Sequence, residues 1–145
     1  MKLTIFALAG KGGCGKTYTI KKIYEKLSVH KTFQDIDVNY NPAIKAGTDI
    51  KGTFKIAGIL IGIASQGDPN SGLKEKLQDF KVGKCKIIIC ATRTDGGTID
   101  DVISFRPFYQ TCWDRQKYVA LNKHAANNDQ MADSFVHKIS ELLNI

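Results

Sequence analysis

The sequence predicts a layered α/β domain with a mostly parallel sheet of about five or six strands and one antiparallel hairpin. Three observations predict it. Short apolar runs, Leu3 to Ala9, Ile59 to Ala64 and Ile87 to Ala91, have strand length and suit burial on both faces. Apolar stripes of helical period lie between and after them. A chain of 145 residues suits a single domain over 1–145, large enough to form a core without covalent staples.

Each element has its own signal. Leu3 to Ala9 runs directly into a glycine-rich stretch. That apolar start has the look of a signal-peptide core, but Gly10-Lys11-Gly12-Gly13 stands where a small-residue cleavage site is needed. Ile20, Ile23, Tyr24 and Leu27 follow at i, i+3, i+4 and i+7, with Lys21, Lys22 and Lys26 off that stripe. Residues 32–47 show no period, and Asn39-Tyr40-Asn41-Pro42 reads as a turn. From Asp49, Ile50, Phe54 and Ile56 alternate with Lys51, Thr53 and Lys55, which describes a half-buried strand. Ala57-Gly58 links it so tightly to Ile59–Ala64 that the two should be antiparallel neighbours.

Asp68-Pro69-Asn70-Ser71-Gly72 reads as a turn, and Leu73, Leu77 and Phe80 as one helix stripe. Thr98-Ile99-Asp100-Asp101 reads as a capping box that opens a helix through Ile103. Tyr109 to Trp113 and Tyr118 to Leu121 read as strands. Met131, Phe135, Ile139, Leu142 and Leu143 make the inner stripe of a closing helix.

Composition excludes several classes. With 43% hydrophobic residues, 13 glycines and 3 prolines, the chain is neither disordered nor collagen-like. No apolar run approaches the roughly 20 residues that cross a bilayer, so no membrane partner and a cytoplasmic location are expected. Cys14, Cys85, Cys90 and Cys112 lack Cys-x-x-Cys spacing and have only three histidines as companions. Free thiols in a reducing compartment are expected rather than a zinc site. Of the net charge of +7, residues 1–31 hold +6, from seven lysines against Glu25. Nucleic-acid binders more often spread their basic residues over a face, so nucleic acid is not the expected partner. The local excess points to a local anion.

Gly10-Lys11-Gly12-Gly13-Cys14-Gly15-Lys16-Thr17 satisfies G-x-x-x-x-G-K-[ST]. Glycines let several backbone N–H groups gather round a phosphate, and the following helix adds its positive end. Lys16 is placed to reach the β- and γ-phosphates, and the Thr17 hydroxyl to ligate Mg²⁺. Four fixed positions match by chance in roughly one such chain in two hundred at ordinary residue usage. The buried strand before and amphipathic helix after supply the confirming context.

On these residues the chain resembles the P-loop NTPase superfamily, which implies a three-layer α/β/α domain binding a nucleoside triphosphate, ATP, with Mg²⁺. Lys11-Gly12-Gly13-Cys14-Gly15-Lys16-Thr17 is similar to the deviant Walker A of MinD/ParA-type ATPases. That resemblance implies that Lys11 contacts phosphates, often across a homodimer. The same residues fit G-x-x-G-x-G-K-[ST] of small-molecule kinases, in which Lys11 is a solvated loop residue. The resemblance covers roughly residues 1–28. The chain is shorter than the MinD/ParA class, and Gln34-Asp35-Ile36-Asp37-Val38-Asn39 only partly echoes that class's second motif.

Weaker signals complete the expected site. Asp68 follows the Ile59–Ala64 run and is the leading candidate for an acid holding Mg²⁺ through water, with an Asp-Pro turn as the alternative. Asp35, Asp37 and Asp95 are lesser candidates, and Ser65 and Gln66 are placed to orient a water. Arg93 follows another buried strand, where open α/β sheets bind ligands. Asn122-Lys123-His124-Ala125 is similar to the N-K-x-D base-reading loop of GTPases, with Ala125 where the aspartate belongs. Asn122 is thus a candidate base contact, and no advantage for guanine is expected.

The leading functional expectation is ATP hydrolysis as a switch or motor coupled to a protein partner. A small kinase, with its acceptor near Arg93 and the Asp35–Asp37 loop, and a non-hydrolysing nucleotide sensor are the alternatives.

Overall fold

The structure is a computed structural model that describes residues 1–12, 15–40, 48–67, 72–94, 96–116 and 123–145. Six strands, β1 (Thr4–Ala9), β2 (Gln34–Asp35), β3 (Lys51–Ile56), β4 (Ile59–Ala64), β5 (Ile87–Thr92) and β6 (Gln110–Arg115), form one sheet. Four helices, α1 (Lys16–Ser28), α2 (Leu73–Val82), α3 (Gly97–Ile103) and α4 (His124–Leu143), accompany it. The strand order is β2-β3-β4-β5-β1-β6. β4, β5, β1 and β6 run parallel, whereas β3 is antiparallel to both β2 and β4. The hairpin expected from the Ala57-Gly58 link is therefore present inside a mostly parallel sheet.

Alternation along the strands divides the core. Phe6 and Leu8 of β1, Ile61 and Ile63 of β4, and Ile87 and Ile89 of β5 share one apolar cluster with Ile20, Ile23 and Leu27 of α1 and Phe135 and Ile139 of α4. Ile5, Ala7, Ile88 and Cys90 point the other way, to Leu77 and Phe80 of α2 and Val102 of α3. Successive side chains alternate between sheet faces, so strands apolar at every position require helices on both. Cys85 and Cys90 are buried and Cys112 is partly so. Burial pushes the first two thiols up to about 11 and about 12, which makes them poor nucleophiles.

Several boundaries differ from expectation. β2 was not legible in residues 32–47, because side chains from elsewhere hold it. The Tyr24 hydroxyl donates to Asp35 Oδ1 at 3.3 Å, and Asp37 Oδ1 accepts the Thr53 N–H at 2.6 Å. Thr98 does not cap α3, which starts at Gly97 after Gly96. Its buried hydroxyl instead accepts the Arg93 backbone N–H at 3.0 Å. Tyr109 precedes β6, which begins at Gln110, and its ring packs beneath the sheet. The strand expected over Tyr118–Leu121 lies outside the described residues. No helix among the described residues is long and apolar enough to cross a membrane.

The topology brings the site together. The carboxyl ends of β4, β5, β1 and β6 share one sheet edge. β3 runs oppositely, with Lys51 beside Ala64, so the start of β3 returns to that same edge.

Candidate functional site

β1 ends at Ala9, and the Gly10 N–H donates to Thr92 O of β5 at 3.1 Å, fixing where the glycine-rich loop departs. α1 opens at Lys16 with no acid in its first turn and no side-chain cap. A helix start of this kind turns its first N–H groups and positive end toward an anion. Lys16 is 7% exposed, and its ammonium folds back to donate to Gly10 O and to Lys11 O at 3.4 Å. A buried ammonium needs such acceptors. They are also the acceptors that phosphate oxygens can replace. The Lys11 side chain is exposed at the mouth of the loop.

Thr17, beside Lys16, donates its hydroxyl to Asp49 Oδ1 at 3.0 Å. The same oxygen accepts the Ser65 hydroxyl at 2.9 Å. Ser65 in turn joins the two strand ends: its hydroxyl accepts the Ile50 N–H at 2.8 Å, and its own N–H donates to Ile50 O at 2.9 Å. No local pattern marks Asp49, because site acids are expected after buried strands rather than before one. It precedes its strand, and only the antiparallel sense of β3 carries it to the functional edge. The hairpin signal at Ala57-Gly58 was the clue that could have found it.

Asp35 and Asp37 do not line the cleft. They serve the β2 turn, Asp35 accepting from Tyr24 and Val38 and Asp37 from Thr53. Both lesser Mg²⁺ candidates are therefore engaged in holding the β2 turn. Gly13, Cys14, Asp68, Asp95 and Asn122 lie outside the described residues.

A cleft of about 240 Å³ is lined by Gly12, Lys16 and Thr17 on one side and by Asp49, Gln66 and His124 around it. Ser65 also lines it. So does Gly67, and a Cβ there would lie 2.2 Å from Ala91 O, so only glycine lets this loop cross the end of β5. Arg93 also reaches the site. A Cβ on Gly12 would lie 2.8 Å from Arg93 Nη2, which puts the guanidinium against the loop backbone. Compared with protein-family models, curated proteins and solved structures, the chain matches none of them.

Behind the loop lies a polar layer that the sequence did not announce. Gly15 has φ 94°, a left-handed conformation, and a Cβ there would meet Asn128 Oδ1 at 2.7 Å. Gln116 follows β6 and is tied to β1 by its N–H on Ala9 O at 2.7 Å. Its Oε1 accepts the Thr19 hydroxyl at 2.7 Å, and its Nε2 donates to Asn128 Oδ1 at 2.6 Å. Thr19, Gln116 and Asn128 are all buried.

A satisfied buried network of this kind fixes one arrangement, and breaking it leaves a desolvated acceptor costing about 1–3 kcal/mol. Thr19→Val should thus lower the melting temperature by several degrees, at about 2–4 °C per kcal/mol. Thr19→Ser should restore it. A Val variant as stable as the parent in thermal denaturation would show that the network holds nothing in place.

Proposed function

We propose that the chain binds ATP with Mg²⁺ in this cleft and cleaves the bond between the β- and γ-phosphates. The single observation that carries the reading is the Thr17–Asp49 hydrogen bond beside the buried Lys16 ammonium. It joins a hydroxyl and a carboxylate oxygen at the open end of a helix. These hard oxygen donors fit Mg²⁺, which takes one or two protein ligands and fills its shell with water and phosphate. Among the described residues there is no group of three or more His, Cys, Asp or Glu that could hold a metal. An ion bound chiefly through phosphate needs none.

Each residue then has a role. Lys16 exchanges the Gly10 and Lys11 carbonyls for β- and γ-phosphate oxygens. Thr17 and Asp49 would hold the metal with their oxygens, Asp49 beside or in place of the acid expected at Asp68. Mg²⁺, when bound, neutralises charge that gathers on the phosphates. Arg93, whose guanidinium lies against Gly12 of the loop, would answer charge that shifts in the transition state. Gln66 and Ser65 orient the attacking water, whose oxygen bonds to the γ-phosphorus as the bond to the β-side oxygen breaks. ADP and inorganic phosphate leave. In a homodimer, Lys11 would act on the partner's nucleotide.

The test is a thermal-shift panel of ATP, ADP and GTP with and without Mg²⁺, followed by assay of ADP release. A ligand at a hundred times its Kd stabilises by about 2.7 kcal/mol. Mg²⁺–ATP should raise the midpoint, and GTP should do no better, since Ala125 offers guanine no carboxylate. ADP release without an added acceptor marks hydrolysis. Tight binding without turnover marks a sensor instead. No shift with any nucleotide would overturn the proposal.

A further inference from the structure

The edge of the sheet opposite the cleft carries a second concentration of positive charge. Three segments meet there: residues 1–3 before β1, 81–86 leading from α2 into β5, and 104–109 leading from α3 into β6. Hydrogen bonds stitch them together. The Thr4 N–H donates to Lys86 O at 3.0 Å, the Gln110 N–H to Leu3 O at 2.9 Å, and the Tyr109 hydroxyl to Cys85 O at 2.5 Å. None of the three segments contains an acid, and together they hold Lys2, Lys81, Lys84, Lys86 and Arg106. Among the described residues no carboxylate pairs with any of these five. Lys81 is partly buried, its ammonium 3.4 Å from the centre of the Phe108 ring, and the other four are exposed. Apolar side chains stand among the cations. Leu3, Phe108 and Val82 are 37%, 50% and 70% exposed. Val82 is the last residue of α2 and stands outside the buried stripe of Leu73, Leu77 and Phe80.

We propose that this edge rests on a bilayer surface rich in acidic phospholipids. The five cations lie among the headgroups, and Leu3, Val82 and Phe108 reach the acyl boundary. Unpaired lysines beside exposed apolar side chains are what such a surface answers, charge with charge and apolar area with burial. Two features favour lipid over a nucleic acid. Leu3 and Val82 offer a phosphate backbone nothing, yet gain by leaving water at the base of the headgroups. Phe108 is the one exposed ring of the three segments, and the Lys81 ammonium already covers one of its faces, which leaves a poor platform for a stacked base. The expectation of no membrane partner followed from the lack of a spanning run, and surface binding requires none. The cleft lies at the other edge of the sheet, so the inference stands apart from the Mg²⁺–nucleotide reading.

The experiment floats the full chain with vesicles of phosphatidylcholine, either alone or with about one-third phosphatidylserine. The chain should rise with the acidic vesicles and bind the neutral ones at least ten times more weakly. Added salt should weaken binding, because exposed charges are screened. Lys84→Glu combined with Lys86→Glu should lower the affinity for acidic vesicles at least tenfold. Val82→Ser should lower it several-fold and leave the salt dependence as in the parent, which adsorption by charge alone would not do. All three positions are exposed, so the melting temperature should not move.

The proposal is overturned if the chain ignores acidic vesicles, binds both kinds alike, or keeps its affinity in the double variant. It is overturned too if Val82→Ser binds as the parent does. Tighter binding of a short duplex DNA than of acidic vesicles, with the same loss in the double variant, would assign the edge to nucleic acid instead.

Discussion

Lys16→Ala should weaken Mg²⁺–ATP binding at least about a hundredfold and abolish turnover, while the fold persists. A hundredfold corresponds to about 2.8 kcal/mol at about 1.4 kcal/mol per tenfold. A single hydrogen bond to a charged group supplies about 1.5–3 kcal/mol, and Lys16 is placed to make more than one. Folding depends less on it. The ammonium is held by Gly10 O and Lys11 O, both in the loop and neither in the apolar clusters. Lys16→Arg should also fail, because a broad planar guanidinium does not fit a slot that buries one compact ammonium. Equilibrium binding and ADP release, read beside the melting temperature, check the prediction. An Ala variant that binds and turns over ATP like the parent removes the basis for the proposed function.

What could be read from sequence follows from how local each signal is. The stripe Ile20, Ile23, Tyr24 and Leu27 lies within one helix, and all four residues are buried as expected. The apolar run Ile87 to Ala91 could be seen as doubly buried because both sheet faces make the same demand on it. The place of Lys16 and Thr17 at the start of α1 was legible because an apolar strand and a run of glycines precede them and the helical stripe follows. The position of Arg93 beside the loop was legible because it follows a buried strand in a mostly parallel sheet.

The missed parts depend on residues far apart in the chain. Thr19 and Gln116 are 97 positions apart, and neither has a neighbour that hints at the other. β2 spans only Gln34–Asp35, too short for any period to register, and depends on Thr53 and Tyr24. Thr98 looked like a cap because its spacing to Asp101 is right, yet the Arg93 N–H claims its hydroxyl. Asp49 differs from these. It could have been found by carrying the strand directions one step further.

Asp49→Asn should separate binding of the nucleotide from use of the metal. Asparagine keeps the size of the side chain and an oxygen that can accept from Thr17 and Ser65, so the junction of α1 with the strand ends should survive. The melting temperature should stay within a few degrees of the parent. The negative charge is lost, and with it the attraction to Mg²⁺. A unit charge pair about 4 Å apart near a protein surface is worth about 4 kcal/mol at an effective dielectric constant of 20. Even half of that, acting on a divalent ion held through water, exceeds a tenfold effect. ATP without Mg²⁺ should therefore bind the variant as well as the parent or better, because a carboxylate facing the phosphates has gone. The tightening that Mg²⁺ brings should shrink by at least tenfold, and turnover should fall by about a hundredfold. Asp49→Ala removes the acceptor as well as the charge. It should add a loss of stability, since Thr17 and Ser65 lose a shared partner. Titrations of ATP at fixed low and high Mg²⁺ resolve the two effects. If Asp49→Asn retains the full Mg²⁺-dependent tightening, the metal is held elsewhere, and Asp49 only fastens the start of β3 to the helix.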